Sequence, residues 1–267
     1  MSEPENIKPQ YEAFLNASPL LKNFKFSLFN YEKVVHEAPS DVPLKGVFGK
    51  RMEYFFSHYL QNSKRYDLLA QNIQIIEDGI TKGELDFIAF DKLKKQALHI
   101  ELACKFYLFK PSEPLPWVGP NHRDWLHLKL NRLSKHQFPL LFHLKSREFL
   151  DKLNLVPEQM AQQLHLPGLL FLPFGRSKWN LPEDIRPEAI GGFWLREVDL
   201  TEEHFRNCLF HLPTKENWLA GPEHHSGWSC YDDAYAAIMK LLKNKRSTMV
   251  WVCTPGKQFL RLFVVWW

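Results

Sequence analysis

Two neighbouring strands, each apolar and each interrupted by carboxylates, constrain this chain more than any other feature. Gly83-Glu84-Leu85-Asp86-Phe87-Ile88-Ala89-Phe90 and His99-Ile100-Glu101-Leu102-Ala103-Cys104-Lys105 are dominated by apolar and β-favouring residues. The polar, lysine-rich residues 91–96 between them are of hairpin length. A bare charge destabilises a strand bound for the interior, so such a carboxylate has a partner or a task. Two carboxylates from adjacent strands, with a lysine just downstream, can hold a divalent metal against a phosphodiester.

Strand alternation sorts the second segment. Leu98, Ile100, Leu102, Cys104 and Phe106 point one way, and His99, Glu101, Ala103, Lys105 and Tyr107 the other. On the preceding strand Glu84, Asp86, Ile88 and Phe90 share a face. If the two strands pair as a hairpin, Asp86 and Glu101 converge across it. His99 reads as a hydrogen-bonded histidine rather than a metal ligand.

The surrounding pattern alternates helices and strands. A lead-in over 1–43 holds a short helix near 10–16. A helical stripe over 44–62 follows, with Leu44, Val47, Phe48, Met52, Phe55, Phe56, Tyr59 and Leu60 at three- and four-residue intervals. Residues 66–77 read as a strand that ends at the turn Asp78-Gly79. After the two strands above, Pro111, Pro114, Pro116 and Pro120 stiffen a connector. Residues 124–137 read as a helix and 169–172 as a short buried strand. This order (helix, three strands, helix, strand) predicts an α/β core over 44–175 with a mixed sheet flanked by helices. Residues 176–267 read as an α+β extension of the same domain, because no flexible linker separates the halves. In it, 192–198 is a strand, 232–243 a helix, and 249–253 with 258–266 a closing hairpin. Phe48, Phe55, Leu102, Phe106 and Leu170 are expected to share one core.

Composition sets outer limits. At 267 residues and 45% hydrophobic content the chain can build a substantial core, and a net charge of +4 requires any basic surface to be local. The four cysteines form no CxxC pair, and no Cys/His cluster has zinc-finger spacing. A reducing compartment fits. The N-terminal residues lack a signal-peptide pattern, and no apolar run reaches the roughly 18 residues of a membrane span. The expectation is a cytoplasmic protein with no membrane partner. No pattern specifies an oligomer. His224-His225 lacks a third ligand at useful spacing, Ser226-Gly227 forms no nucleophile elbow, and P-loop and GxGxxG motifs are missing. His122, Arg123, Lys129, Arg132, Lys135 and His136 form a basic stretch. Its Lys129 and Arg132 could meet a phosphate backbone, although a solvated helix face is the commoner origin of such a stretch.

Three local motifs, in this order of elements, carry a resemblance. They are Gly49-Lys50-Arg51-Met52-Glu53 in the first long helix, Gly83-Glu84-Leu85-Asp86 in the second strand, and Glu101-Leu102-Ala103-Cys104-Lys105-Phe106 in the third. The chain resembles the PD-(D/E)XK nuclease superfamily, through a bacterial domain-of-unknown-function family placed in it. The resemblance implies a restriction-endonuclease-like core and a hydrolase that cuts nucleic acid, with DNA the expected form, by metal-activated water. It implies that Asp86 and Glu101 hold Mg2+ or Mn2+, joined by the backbone carbonyl after Glu101. Glu53 would be an additional ligand or orient a metal-bound water. A lysine would position the attacking water and stabilise the developing phosphorane charge. The superfamily motif places that lysine two residues after the acidic residue, where this chain has Ala103. Lys105 lies on the same predicted strand face, its Cα about 13 Å along from that of Glu101 at about 3.3 Å per residue. Lys129 on the following helix is the second candidate. The alternative is a catalytically inactive nuclease-fold protein that binds nucleic acid or protein.

Overall fold

The computed structural model describes residues 7–32, 37–42, 47–175, 178–222 and 227–267. Leu44, His224, His225 and Ser226 lie outside the described residues. The elements are α1 (Ile7–Asn16), β1 (Ser27–Leu28), α2 (Phe48–Asn62), β2 (Tyr66–Glu77), β3 (Ile80–Asp91), β4 (Gln96–Leu102), β5 (Lys105–Phe109), β6 (Trp117–Val118), α3 (Leu126–Arg132), α4 (Leu144–Asp151), β7 (Ala161–His165), β8 (Gly168–Pro173), β9 (Ile190–Arg196), α5 (Glu202–Phe205), β10 (Leu209–His211), α6 (Tyr231–Lys243), β11 (Thr248–Cys253) and β12 (Phe259–Val265). The protein is mixed α/β, built on two mixed sheets flanked by helices. Among the described residues no helix is long and apolar enough to cross a membrane.

The chain divides into two compact units whose limits cross those read from the sequence. The first unit comprises Met1–Tyr11, Leu21–Cys104 and Leu128–Pro167, and the second Glu12–Leu20, Lys105–His127 and Gly168–Trp267.

The first unit carries a five-stranded sheet in the order β1-β7-β4-β3-β2. β2, β3 and β4 are successive antiparallel neighbours, and β7 lies parallel to β4 on one side and to β1 on the other. The β2–β3 turn is Asp78-Gly79 with φ of 51° and 74°. Two consecutive left-handed residues match the right-handed twist of the strands, and glycine takes the second position without strain. Most of the stripe on α2 folds as its spacing demands: Phe48, Met52, Phe55, Phe56, Tyr59 and Leu60 are all buried, whereas Val47 precedes the helix and is exposed. Phe56 meets Phe87 of β3 edge-on, ring centroids 4.9 Å apart, and His165 of β7 at 5.0 Å. Elsewhere in this unit Ile75, Leu85, Ile88, Leu140, Leu141, Leu150 and Met160 form a buried cluster.

The second unit carries a seven-stranded sheet, β10-β11-β12-β9-β8-β5-β6. Its cluster of Leu195, Phe205, Phe210, Ile238, Val250, Leu262 and Val264 gathers the apolar face of α6 and the strand hairpin β11–β12. Gly168 is needed here because β5 and β8 approach closely: a Cβ at 168 would lie 1.9 Å from the Lys105 carbonyl oxygen.

Two sequence expectations change at this level. Residues 169–172 do form a strand, but within β8 of the second sheet. The strand that joins β4 is β7, Ala161–His165. The residues expected to share one core also separate: Phe48, Phe55 and Leu102 are buried in the first unit, Phe106 and Leu170 in the second.

Candidate functional site

The β3–β4 register sets the geometry of the site. Phe87 pairs with Ile100, so Asp86 stands one position further, opposite Glu101. The Asp86 carboxylate Oδ2 accepts from the backbone N–H of Leu102 at 2.9 Å. The charge of Glu101 acts on Asp86 across the strand pair. Glu101 is fully buried, and both of its oxygens are held: His99 Nε2 lies 2.9 Å from Oε1, and Gln137 Nε2 donates to Oε2. Gln137 in turn accepts from Lys129 Nζ at 2.9 Å through its own Oε1. A lysine only donates, so this bond fixes the Gln137 amide and aims its N–H at the carboxylate.

The helix that brings Lys129 and Gln137 together is irregular. α3 runs on through a π-type turn, Leu133–Gln137, and then a 3-10 turn, Phe138–Phe142. Residues eight apart stand about 80° from each other around a regular α-helix. The wider π turn absorbs about one extra residue and returns Gln137 to the face of Lys129. A π turn of this kind often marks a functional site.

Burial shifts the titration of both acids upward. The Asp86 carboxyl is pushed up to about 8 by burial and then by the Glu101 charge, against the Leu102 N–H and the Lys129 charge. Glu101 is likewise pushed up to about 8 by burial, opposed first by Lys129. Both acids therefore keep their protons to a higher pH than exposed carboxyls do. His99 moves the other way, down to about 4, because burial disfavours the imidazolium, so it stays neutral.

Glu53 stands at the edge of this group. Its Oε2 accepts from Lys50 Nζ at 2.7 Å, and Lys50 also reaches Glu84 at 3.4 Å. Asn72 stands opposite Asp86 on β2 with a left-handed φ of 53°, which asparagine tolerates. With its amide oriented to satisfy both acids, Asn72 Nδ2 donates to Glu53 Oε2 at 3.1 Å and Glu84 Oε1 at 3.3 Å. The Glu53 charge acts on Asp86 and raises its pKa further. Among the described residues no three His, Cys, Asp or Glu side chains are grouped so as to hold a metal ion together. The candidate centre is therefore the Asp86–Glu101 pair, with Glu53 outside it.

The alternation read through to Lys105 stops at Leu102. β4 ends there, and Lys105 opens β5 in the other sheet. Lys105 Nζ pairs with Asp124 Oδ2 at 2.6 Å within the second unit. Lys129 is half-buried in the first unit, and its charge acts on both Asp86 and Glu101. Arg132, Lys135 and His136 are exposed. Sequence reasoning missed Asn72, Gln137 and Gln162, three amides that hold acids or their partners.

Fold and site thus define a mixed α/β protein with a carboxylate pair, a fully buried Glu101 and a half-buried Asp86, one acid from each of two paired strands, and a lysine on the neighbouring helix. The chain belongs to the family described as "Domain of unknown function (DUF1853)", which it matches over residues 30–265. No curated protein and no solved structure matches it.

Proposed function

We propose that the first unit is a restriction-endonuclease-like core of the PD-(D/E)XK superfamily, and that the protein is a cytoplasmic, metal-dependent nuclease acting on DNA. The observation that carries this reading is the placement of Asp86 and Glu101 side by side on paired strands, with Lys129 acting on both. The order α2, β2, β3, β4, α3, β7 supports it, with β7 parallel to β4 as the final strand.

The donor set fits Mg2+ or Mn2+. Both groups are hard oxygen donors, and magnesium is commonly bound by one or two carboxylates, with water and substrate phosphate completing the shell. Each carboxylate oxygen has two lone-pair directions, so the bonds from His99, Gln137 and Leu102 leave others open. Bound there, the ion would neutralise phosphate charge and make water a nucleophile near neutral pH.

The protein's own residues divide the remaining work. Asp86 and Glu101 would hold the ion, joined by the backbone carbonyl after Glu101. Lys129 stabilises charge that develops on the phosphate in the transition state. Glu53, fixed by Lys50, orients water beside Asp86. Arg132, exposed on the same helix, meets the nucleic-acid backbone.

The purified protein should nick or degrade duplex DNA slowly with magnesium or manganese, and EDTA should stop it. Glu101→Ala should abolish the cleavage. A wild type that is inert on duplex DNA, single-stranded DNA and RNA with either metal would favour an inactive binding module. The observation on that side is that, among the described residues, no three His, Cys, Asp or Glu side chains are grouped to hold a metal ion.

A further inference from the structure

We propose that His99 is a positioning residue for the carboxylate pair, held by Gln162 in the one tautomer that can donate to Glu101. The inference rests on the reading of Asp86 and Glu101 as a metal-binding pair.

The hydrogen bonds fix every proton in the chain. Gln162 Nε2 donates to the carbonyl oxygen of Phe138 at 2.7 Å, and a carbonyl only accepts, so the amide orientation is set. The same Nε2 lies 3.1 Å from His99 Nδ1. An amide nitrogen only donates, so Nδ1 is the bare, accepting nitrogen. The ring proton is then on Nε2, which faces Glu101 Oε1 at 2.9 Å. β-sheet register builds this in, because His99 of β4 pairs with Gln162 of β7. The imidazole is fully buried and meets Phe138 edge-on, ring centroids 5.7 Å apart.

Glu101 is therefore gripped from two sides by donors of fixed orientation, His99 on Oε1 and Gln137 on Oε2. Held at both oxygens, the carboxylate is restrained from rotating. Partners of this kind around a ligating carboxylate typically change metal affinity by about 10–100-fold when removed.

The test combines nitrogen NMR with calorimetric Mn2+ titration of the full chain. In the wild type, two-bond 1H–15N correlations should show His99 protonated at Nε2 and bare at Nδ1. His99→Leu removes the donor and should weaken Mn2+ binding by about 10–100-fold. His99→Gln puts an amide N–H near the place of Nε2 and should restore affinity to within about threefold, a rescue that a purely packing role would not give. If His99→Leu fails to fold, Gln162→Met serves in its place: the His99 tautomers should then mix and Mn2+ affinity should fall. A ring proton on Nδ1 in the wild type overturns the proposal. So does a folded His99→Leu, or a Gln162→Met with mixed tautomers, that binds Mn2+ as the wild type does. A wild type that binds no Mn2+ ends the metal reading of the pair and this role with it, even with the proton on Nε2. Equal binding by wild type and His99→Leu ends this role alone.

Discussion

Asp86→Asn is expected to abolish cleavage and, in metal-free buffer, to make the protein more stable at pH 8 than the wild type. The loss of activity should be at least about 10³-fold, since one carboxylate cannot both fix the ion and orient water. The gain in stability follows from the raised titration of Asp86. Its carboxyl moves from the ordinary 3.8 up to about 8 on folding, through burial first and the Glu101 charge second. The folded state thus holds the proton more tightly than the unfolded chain. Its contribution to stability is complete below about pH 4 and is lost as pH rises toward 8. Asparagine cannot ionise. Its Oδ1 can still accept from the Leu102 N–H, as the Asp86 carboxylate does. The variant should match the wild type near pH 4 and exceed it increasingly as pH rises toward 8, by at least about 1–2 kcal/mol at pH 8. Thermal denaturation in EDTA across that range checks this. A wild-type curve parallel to that of the variant at every pH would show that folding does not raise the Asp86 titration.

Lys129→Ala should lower cleavage by about 10²–10³-fold, the usual cost of losing one preorganised charge at a reacting group. Lys129 acts on both acids and is bonded to Gln137 at 2.9 Å. Its charge opposes a bound cation, so the variant should bind Mn2+ at least as tightly as the wild type while cutting far less. This split separates a transition-state role from a role in building the metal site. Lys105→Ala should leave cleavage within about twofold. Its ion pair with Asp124 is about one-third exposed on each side, and such pairs contribute only about 0–1 kcal/mol. The reverse outcome, with Lys105 required and Lys129 dispensable, would return the catalytic lysine to β5.

The parts of the fold that were legible are those in which local pattern and burial agree. β2 runs over Tyr66–Glu77 as read, because Asp78-Gly79 ends it with the turn those residues favour. The α2 stripe needs only its 3.6-residue period. Asp86 and Glu101 stood out because charge is costly in strands otherwise made for burial.

The illegible parts depend on long-range contacts. Ala161-Gln162-Gln163-Leu164-His165 has too many polar residues to read as an interior strand, yet β7 lies between β1 and β4. Its Gln162 bonds to His99 and Phe138, more than twenty residues away along the chain. Gln137 escaped because the π turn shifts the helical phase, and no residue type signals such a turn. Lys105 was misplaced because alternation was carried through Ala103-Cys104, where the chain leaves one sheet for another.

The central claim is that Asp86 and Glu101 together hold a divalent ion. Wild-type crystals soaked in manganese at pH 8 test it through the anomalous scattering of the metal. The expected result is one anomalous peak bridging the two carboxylates, missing from identically soaked Asp86→Asn crystals. No peak between them at a manganese concentration that supports cleavage, or a peak that survives in Asp86→Asn, would contradict the account.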